Sequence, residues 1–116
     1  MTDVIIYHNA RCSKSRESLK LLRDRGIEPR VIEYLKDPLD EDELSRLLAM
    51  LGMAPHDLIR TKEDAYLEFE IANLKARPRE LIRAMVAHPI LIERPIVVRG
   101  NKARIGRPPE NILEIL

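Results

Sequence analysis

The chain has 116 residues, 45% hydrophobic and 34% charged, with 20 Lys and Arg against 19 Asp and Glu. That length suits one compact domain that buries its core without disulfides or metal, and the near-neutral balance excludes the general basic footprint of a nucleic-acid binder. A single cysteine, Cys12, excludes an intrachain disulfide and a zinc site built on paired cysteines, and fits a reducing compartment.

Val4-Ile5-Ile6-Tyr7-His8 is a β-branched and aromatic run and reads as a buried strand. It is too short for a signal-peptide core, and Asp3 before it is of the wrong charge for one. No stretch approaches the ~20 apolar residues of a membrane span, so the expected location is cytoplasmic. Asn9-Ala10-Arg11 is a short turn. From Ser13 the period changes: Leu19, Leu21 and Leu22 recur at helical spacing with Lys20, Arg23 and Asp24 between them, and Gly26 follows at a C-cap position. The pattern predicts a helix over Ser13 to Arg25 and a second strand over Pro29 to Leu35. Strand, helix and strand within ~30 residues make a βαβ unit with parallel strands.

Asp37-Pro38 breaks the chain. Asp40 can cap a helix over Glu41 to Leu51, with Glu43 in the capping-box position and Gly52 closing it. Residues 55–73 read as short helical pieces. Pro78 starts another helix that carries Leu81, Ile82, Met85 and Val86 on one face and ends at His88-Pro89. Pro95 to Arg99 is a strand, Gly100-Asn101 a turn, Ala103 to Ile105 the return strand of a hairpin, and Glu110 to Leu116 a last helix. The order βαβ, helices, then ββα is an α/β arrangement with a mixed sheet. It is that of a single thioredoxin-like domain over residues 1–116 with a helical insertion at about 38–88.

Cys12 falls between a predicted strand and the start of a helix, where free backbone N–H groups and the positive helix end stabilise a thiolate. Arg11, Lys14 and Arg16 flank it and act in the same sense. The same N–H groups favour an oxyanion, and arginine forks can hold two of its oxygens at once. Arg60, Arg94 and Arg107 stand alone in loop-like contexts. Cys12-Ser13-Lys14-Ser15 is a C-x-x-C layout with serine in the second place, so an oxidised Cys12 needs an external thiol to resolve it. Ser15 can donate a hydrogen bond toward the sulfur, and His8 adds to the site if it faces the loop. His56 and His88 fit no metal-ligand spacing, and neither a phosphate-binding loop nor a dinucleotide fingerprint is present. No bound cofactor or metal is expected.

Four segments in order, Ile6 to Arg16, Leu58-Ile59-Arg60, His88 to Val98, and Arg104 to Glu110, resemble the ArsC family of glutaredoxin-dependent arsenate reductases, most closely its short YfgD-like branch. The resemblance implies a mechanism in which Cys12 attacks arsenate, glutathione enters, and glutaredoxin restores the thiol as arsenite leaves. It implies that Arg60, Arg94 and Arg107 bind the anion and that His8 and Ser15 support the thiolate. It also implies that Pro95 is a cis-proline facing the cysteine. The chain departs from the best-known members in carrying Ser13-Lys14 in place of Gly-Thr and Ala10-Arg11 in place of Pro-Ala. The expected partners are therefore an oxyanion such as arsenate, glutathione and glutaredoxin, with no nucleic acid or membrane, and the expected species is a monomer. Two rival readings share the fold. One is a glutathione-linked thiol protein with no oxyanion substrate. The other is an Spx-like transcription regulator, which Ser15 disfavours because it removes the disulfide switch.

Overall fold

The computed structural model describes residues 3–116, so the first two residues of the domain expected over 1–116 lie outside the described residues. Two compact units form: the described residues up to Asp37 together with Arg94–Leu116, and Pro38–Glu93.

The first unit contains β1 (Val4–Tyr7), α1 (Ser13–Asp24), β2 (Arg30–Ile32), β3 (Ile96–Arg99), β4 (Lys102–Ile105) and a closing 3-10 segment, Pro109–Ile115. The strand order is β2-β1-β3-β4. β1 runs parallel to β2 and antiparallel to β3, and β3 runs antiparallel to β4. This mixed sheet, with a βαβ unit on one side and a hairpin on the other, is a thioredoxin-like α/β fold. The two central strands carry the β-branched runs because both are covered: Ile6 and Val97 are register partners and both are fully buried. They join Val4, Leu22, Ile112 and Ile115 in one core. α1 turns Ser15, Ser18 and Leu22 inward, a spacing of three and four that keeps them on one face. Gly100 has φ 61 at the first position of the two-residue hairpin turn, where a side chain is strained.

Two expected elements differ. The second strand stops at Ile32 rather than Leu35. After His8 N–H bonds the Ile32 carbonyl at 2.8 Å, the chain coils at once, with the N–H groups of Lys36 and Asp37 both on the Glu33 carbonyl. The last segment is 3-10 rather than α-helical. Pro109, Ile112 and Ile115 are its buried residues, and a repeat of three aligns on one face only at three residues per turn.

The second unit holds α2 (Glu41–Leu51), α3 (Asp64–Glu68), α4 (Pro78–Ala87) and 3-10 turns at Pro55–Leu58, Ile71–Leu74 and Pro89–Leu91. Leu44, Leu47 and Leu48 of α2 and Leu81 and Met85 of α4 are buried. Among the described residues, no helix is long and apolar enough to cross a membrane. Asp40 caps α2, its carboxylate accepting the Glu43 N–H at 2.7 Å. Asp40→Ala is expected to lower stability by about 1 kcal/mol, read as a shifted urea midpoint with unchanged slope.

Candidate active site

The loop between β1 and α1 is held from within. The Cys12 N–H bonds the Asn9 carbonyl at 2.9 Å, and the Arg11 N–H bonds Asn9 Oδ1 at 3.0 Å. Cys12 therefore occupies the N-cap of α1 in an extended conformation, half-buried, with its sulfur at the helix opening. Ser15 is fully buried one turn below. Its hydroxyl accepts the Asn9 N–H at 3.0 Å and shares a 2.6 Å bond with His8 Nδ1 whose direction follows the ring tautomer. His8 thus meets Ser15 rather than the sulfur. Burial lowers the His8 pKa, and the charges of Arg23 and Arg16 lower it further, against an opposing pull from Glu33. The ring is accordingly neutral at neutral pH.

Burial pushes the Cys12 thiol up, but more acts in the other direction, and its pKa falls below the usual thiol range. The opposing influences are the Ser15 N–H, the Arg94 side chain hydrogen-bonding toward the sulfur, the positive charge of Arg107, and the Lys14 N–H. The sulfur forms no conventional cap hydrogen bond, so the helix N–H groups act on it as oriented dipoles. Arg107 Nη2 donates to Sγ at 3.3 Å. Two of the three cations that flank Cys12 in sequence are engaged elsewhere: Arg16 Nη1 bonds the Ala10 carbonyl at 2.9 Å, and Lys14 pairs loosely with Glu17 at 3.5 Å. The charges on the sulfur come instead from the β3 and β4 ends.

Those ends are tied to each other. Arg107 Nε donates to the Arg94 carbonyl at 2.7 Å, and the Gly106 N–H donates to the Pro95 carbonyl at 2.9 Å. The Arg94–Pro95 and Arg107–Pro108 peptide bonds are both cis. Gly106 is pressed against α1: a Cβ there would overlap the Ser18 hydroxyl and stand 2.8 Å from Pro95 Cγ. Absence of a side chain at 106 is what lets the arginine-bearing segments close on α1. Gly106→Ala should therefore cost about 1–3 kcal/mol and displace Arg94 and Arg107 together, seen as a lower thermal midpoint with a slower Cys12 alkylation rate. Ser18 Oγ is buried with no hydrogen-bond partner among the described residues.

Arg60 belongs to the second unit, in the segment that bridges Ile59 to Ile92. Burial opposes its charge, but Glu63 and Glu93 raise its pKa. Nε donates to Glu63 Oε1 at 2.9 Å and Nη1 to Glu93 Oε1 at 2.7 Å.

Comparison with known proteins agrees with this architecture. The model of the ArsC family matches residues 7–115. The chain belongs to the ArsC family. An uncharacterised Escherichia coli protein, YfgD, is 54% identical over 97% of this chain and 96% of its own. An arsenate reductase of Haemophilus influenzae is 47% identical over 97% of this chain and 98% of its own. The solved structure of an arsenate reductase from Vibrio cholerae superposes with a TM-score of 0.94 at 49% identity, covering 97% of each chain.

Within this ArsC chain, sequence reasoning did not single out three residues that bond to the loop or to Arg60. Asn9 passed as an ordinary turn residue. Glu63 lies at i+3 from Arg60, a spacing that signals an ion pair once Arg60 is singled out. Glu93 lies 33 residues away and left no local trace.

Proposed function

We propose that this protein reduces arsenate to arsenite in the cytoplasm, as a monomer, with Cys12 as nucleophile, glutathione as co-substrate and glutaredoxin as recycling partner. The observation that carries the reading is the half-buried Cys12 thiol at the α1 N-terminus, its pKa lowered, with Arg107 at 3.3 Å from the sulfur. Membership of the ArsC family and relatives named as arsenate reductases support it.

The Cys12 thiolate displaces water from protonated arsenate and forms a sulfur–arsenic bond. Arg94 and Arg107, with Arg60 assigned by resemblance, hold the negative oxygens. Glutathione thiolate then attacks the Cys12 sulfur. A sulfur–sulfur bond forms, the sulfur–arsenic pair of electrons passes to arsenic, and arsenic(V) leaves as arsenic(III). A glutaredoxin thiolate attacks the glutathione sulfur and frees the Cys12 thiolate. Both reducing electrons come from thiols, so the reaction requires no resident cofactor. Ser15 and neutral His8 fix the loop that carries Cys12. The test is a coupled assay with arsenate, glutathione, glutaredoxin, glutathione reductase and NADPH. NADPH loss that requires both arsenate and glutaredoxin is the expected result, and no arsenate-dependent loss overturns the reading.

A further inference from the structure

A groove of about 440 Å³ lies within the first unit, between α1 and the start of the closing 3-10 segment. That volume is within the range of small-molecule sites, roughly 300–1,000 Å³. Lys14, Glu17 and Leu21 form one wall and Pro108, Pro109 and Glu110 the other. Positions 14, 17 and 21 share a face of α1, and at 1.5 Å per residue that wall is about 10 Å long. Both walls start beside the Cys12 sulfur. The Lys14 N–H acts on the sulfur directly, and Pro108 follows Arg107, whose Nη2 donates to Sγ at 3.3 Å.

The groove carries both signs of charge. Lys14 pairs with Glu17 at 3.5 Å, with both side chains about half exposed, and a ligand displaces so loose a contact at little cost. Glu110 is exposed, and among the described residues its carboxylate makes no hydrogen bond or ion pair. Two carboxylates repel arsenate, so the groove is no extension of an oxyanion site, and Lys14 opposes a purely cationic ligand. Opposite charges over the apolar Leu21, Pro108 and Pro109 suit a zwitterion carried on methylenes. The γ-glutamyl arm of glutathione has that composition: two methylenes ending in a carbon that bears an ammonium and a carboxylate. A tripeptide spans about 10 Å when extended, so the arm can occupy the groove while the thiol reaches Cys12. We infer that this groove holds the γ-glutamyl arm of glutathione, with Glu110 taking the ammonium and Lys14 the carboxylate. The inference rests on glutathione as the co-substrate proposed above and adds where it binds.

The test reaches the Cys12–glutathione disulfide without arsenate. The Cys12 thiolate attacks one sulfur of oxidised glutathione, a mixed disulfide forms, and glutathione thiolate leaves. Its rate in the full chain is followed by intact mass. The neutral bis(2-hydroxyethyl) disulfide reports the reactivity of the thiol itself, so the ratio of the two rates isolates the contribution of glutathione. Thermal midpoints show that each variant is folded. Glu110→Gln and Lys14→Gln are each expected to lower the ratio about fivefold. Oxidised glutathione is an anion, so loss of the Glu110 charge through bulk electrostatics alone would raise the ratio instead. With the disulfide of N-acetylglutathione, which lacks the ammonium, Glu110→Gln should no longer slow the exchange. An unchanged or higher ratio in Glu110→Gln, or an equal fall with the acetylated disulfide, overturns the groove assignment and leaves glutathione as co-substrate standing. Wild-type protein that exchanges with the neutral disulfide but not with oxidised glutathione overturns the co-substrate reading and the groove with it.

Discussion

Cys12→Ser is expected to reduce arsenate-dependent NADPH consumption by about a thousandfold or more, to the level of the arsenate-free control. Serine is nearly isosteric with cysteine, so the loop bonds from Asn9 to Cys12 and Arg11 remain possible and the fold should be retained. What disappears is an ionisable nucleophile. The arrangement that lowers a thiol pKa by Arg94, Arg107 and the first helical N–H groups cannot bring an alcohol within reach of neutral pH. Nor can the oxygen form the mixed disulfide on which the reducing step depends. Initial rates with and without arsenate, together with an unchanged thermal midpoint, check this. Turnover retained in the folded variant would move the chemistry away from Cys12.

The second large effect concerns pH. The Cys12 alkylation rate rises as the thiol ionises, so its midpoint reports the folded-state pKa. Burial alone would place that midpoint high, and the helix N–H groups, Arg94 and Arg107 bring it below the usual thiol range. Arg107→Ala removes a positive charge and the 3.3 Å hydrogen bond from the sulfur. The thiolate is then less favoured, and the midpoint should climb. Arg94→Ala should move it the same way. Arg16→Ala is the control: its guanidinium bonds the Ala10 carbonyl, so the midpoint should stay near wild type although Arg16 is four residues from the cysteine. A midpoint that follows Arg16 and ignores Arg107 would reverse the assignment of the charges.

That contrast shows where sequence reading ends. The strand, turn and helix around Cys12 were legible because each rests on local pattern: the run Val4 to Tyr7, then the leucines of α1. α2 was legible to the residue because Asp40 and Gly52 bracket it. The boundaries set by tertiary packing were not. β2 ends at Ile32 because the chain turns on the Glu33 carbonyl, and the C-terminal segment is wound three residues per turn to seat Pro109, Ile112 and Ile115. The site follows the same division. Proximity in sequence pointed to Arg11, Lys14 and Arg16 as the charges on the sulfur. The charge that touches it comes from Arg107, 95 residues away. The pairing of Tyr7 with Ile96, and of Ile96 with Ile105, brings the segments before β3 and after β4 to the same end of the sheet as the Cys12 loop. Nothing in the run of residues encodes that register. The assignment of Arg94 and Arg107 came from resemblance, and the physical reason for them from the sheet.

The most direct test of the account is a single turnover followed by intact-protein mass spectrometry. The reduced full chain is mixed with arsenate and glutathione, without glutaredoxin, and arsenite is counted. Arsenate is the only oxidant present. One arsenite per chain is expected, matched by one glutathione on Cys12 that appears only when arsenate is added and is cleared when glutaredoxin follows. Arsenite formed while Cys12 stays a free thiol, or Cys12 left unmodified with no arsenite released, would contradict it.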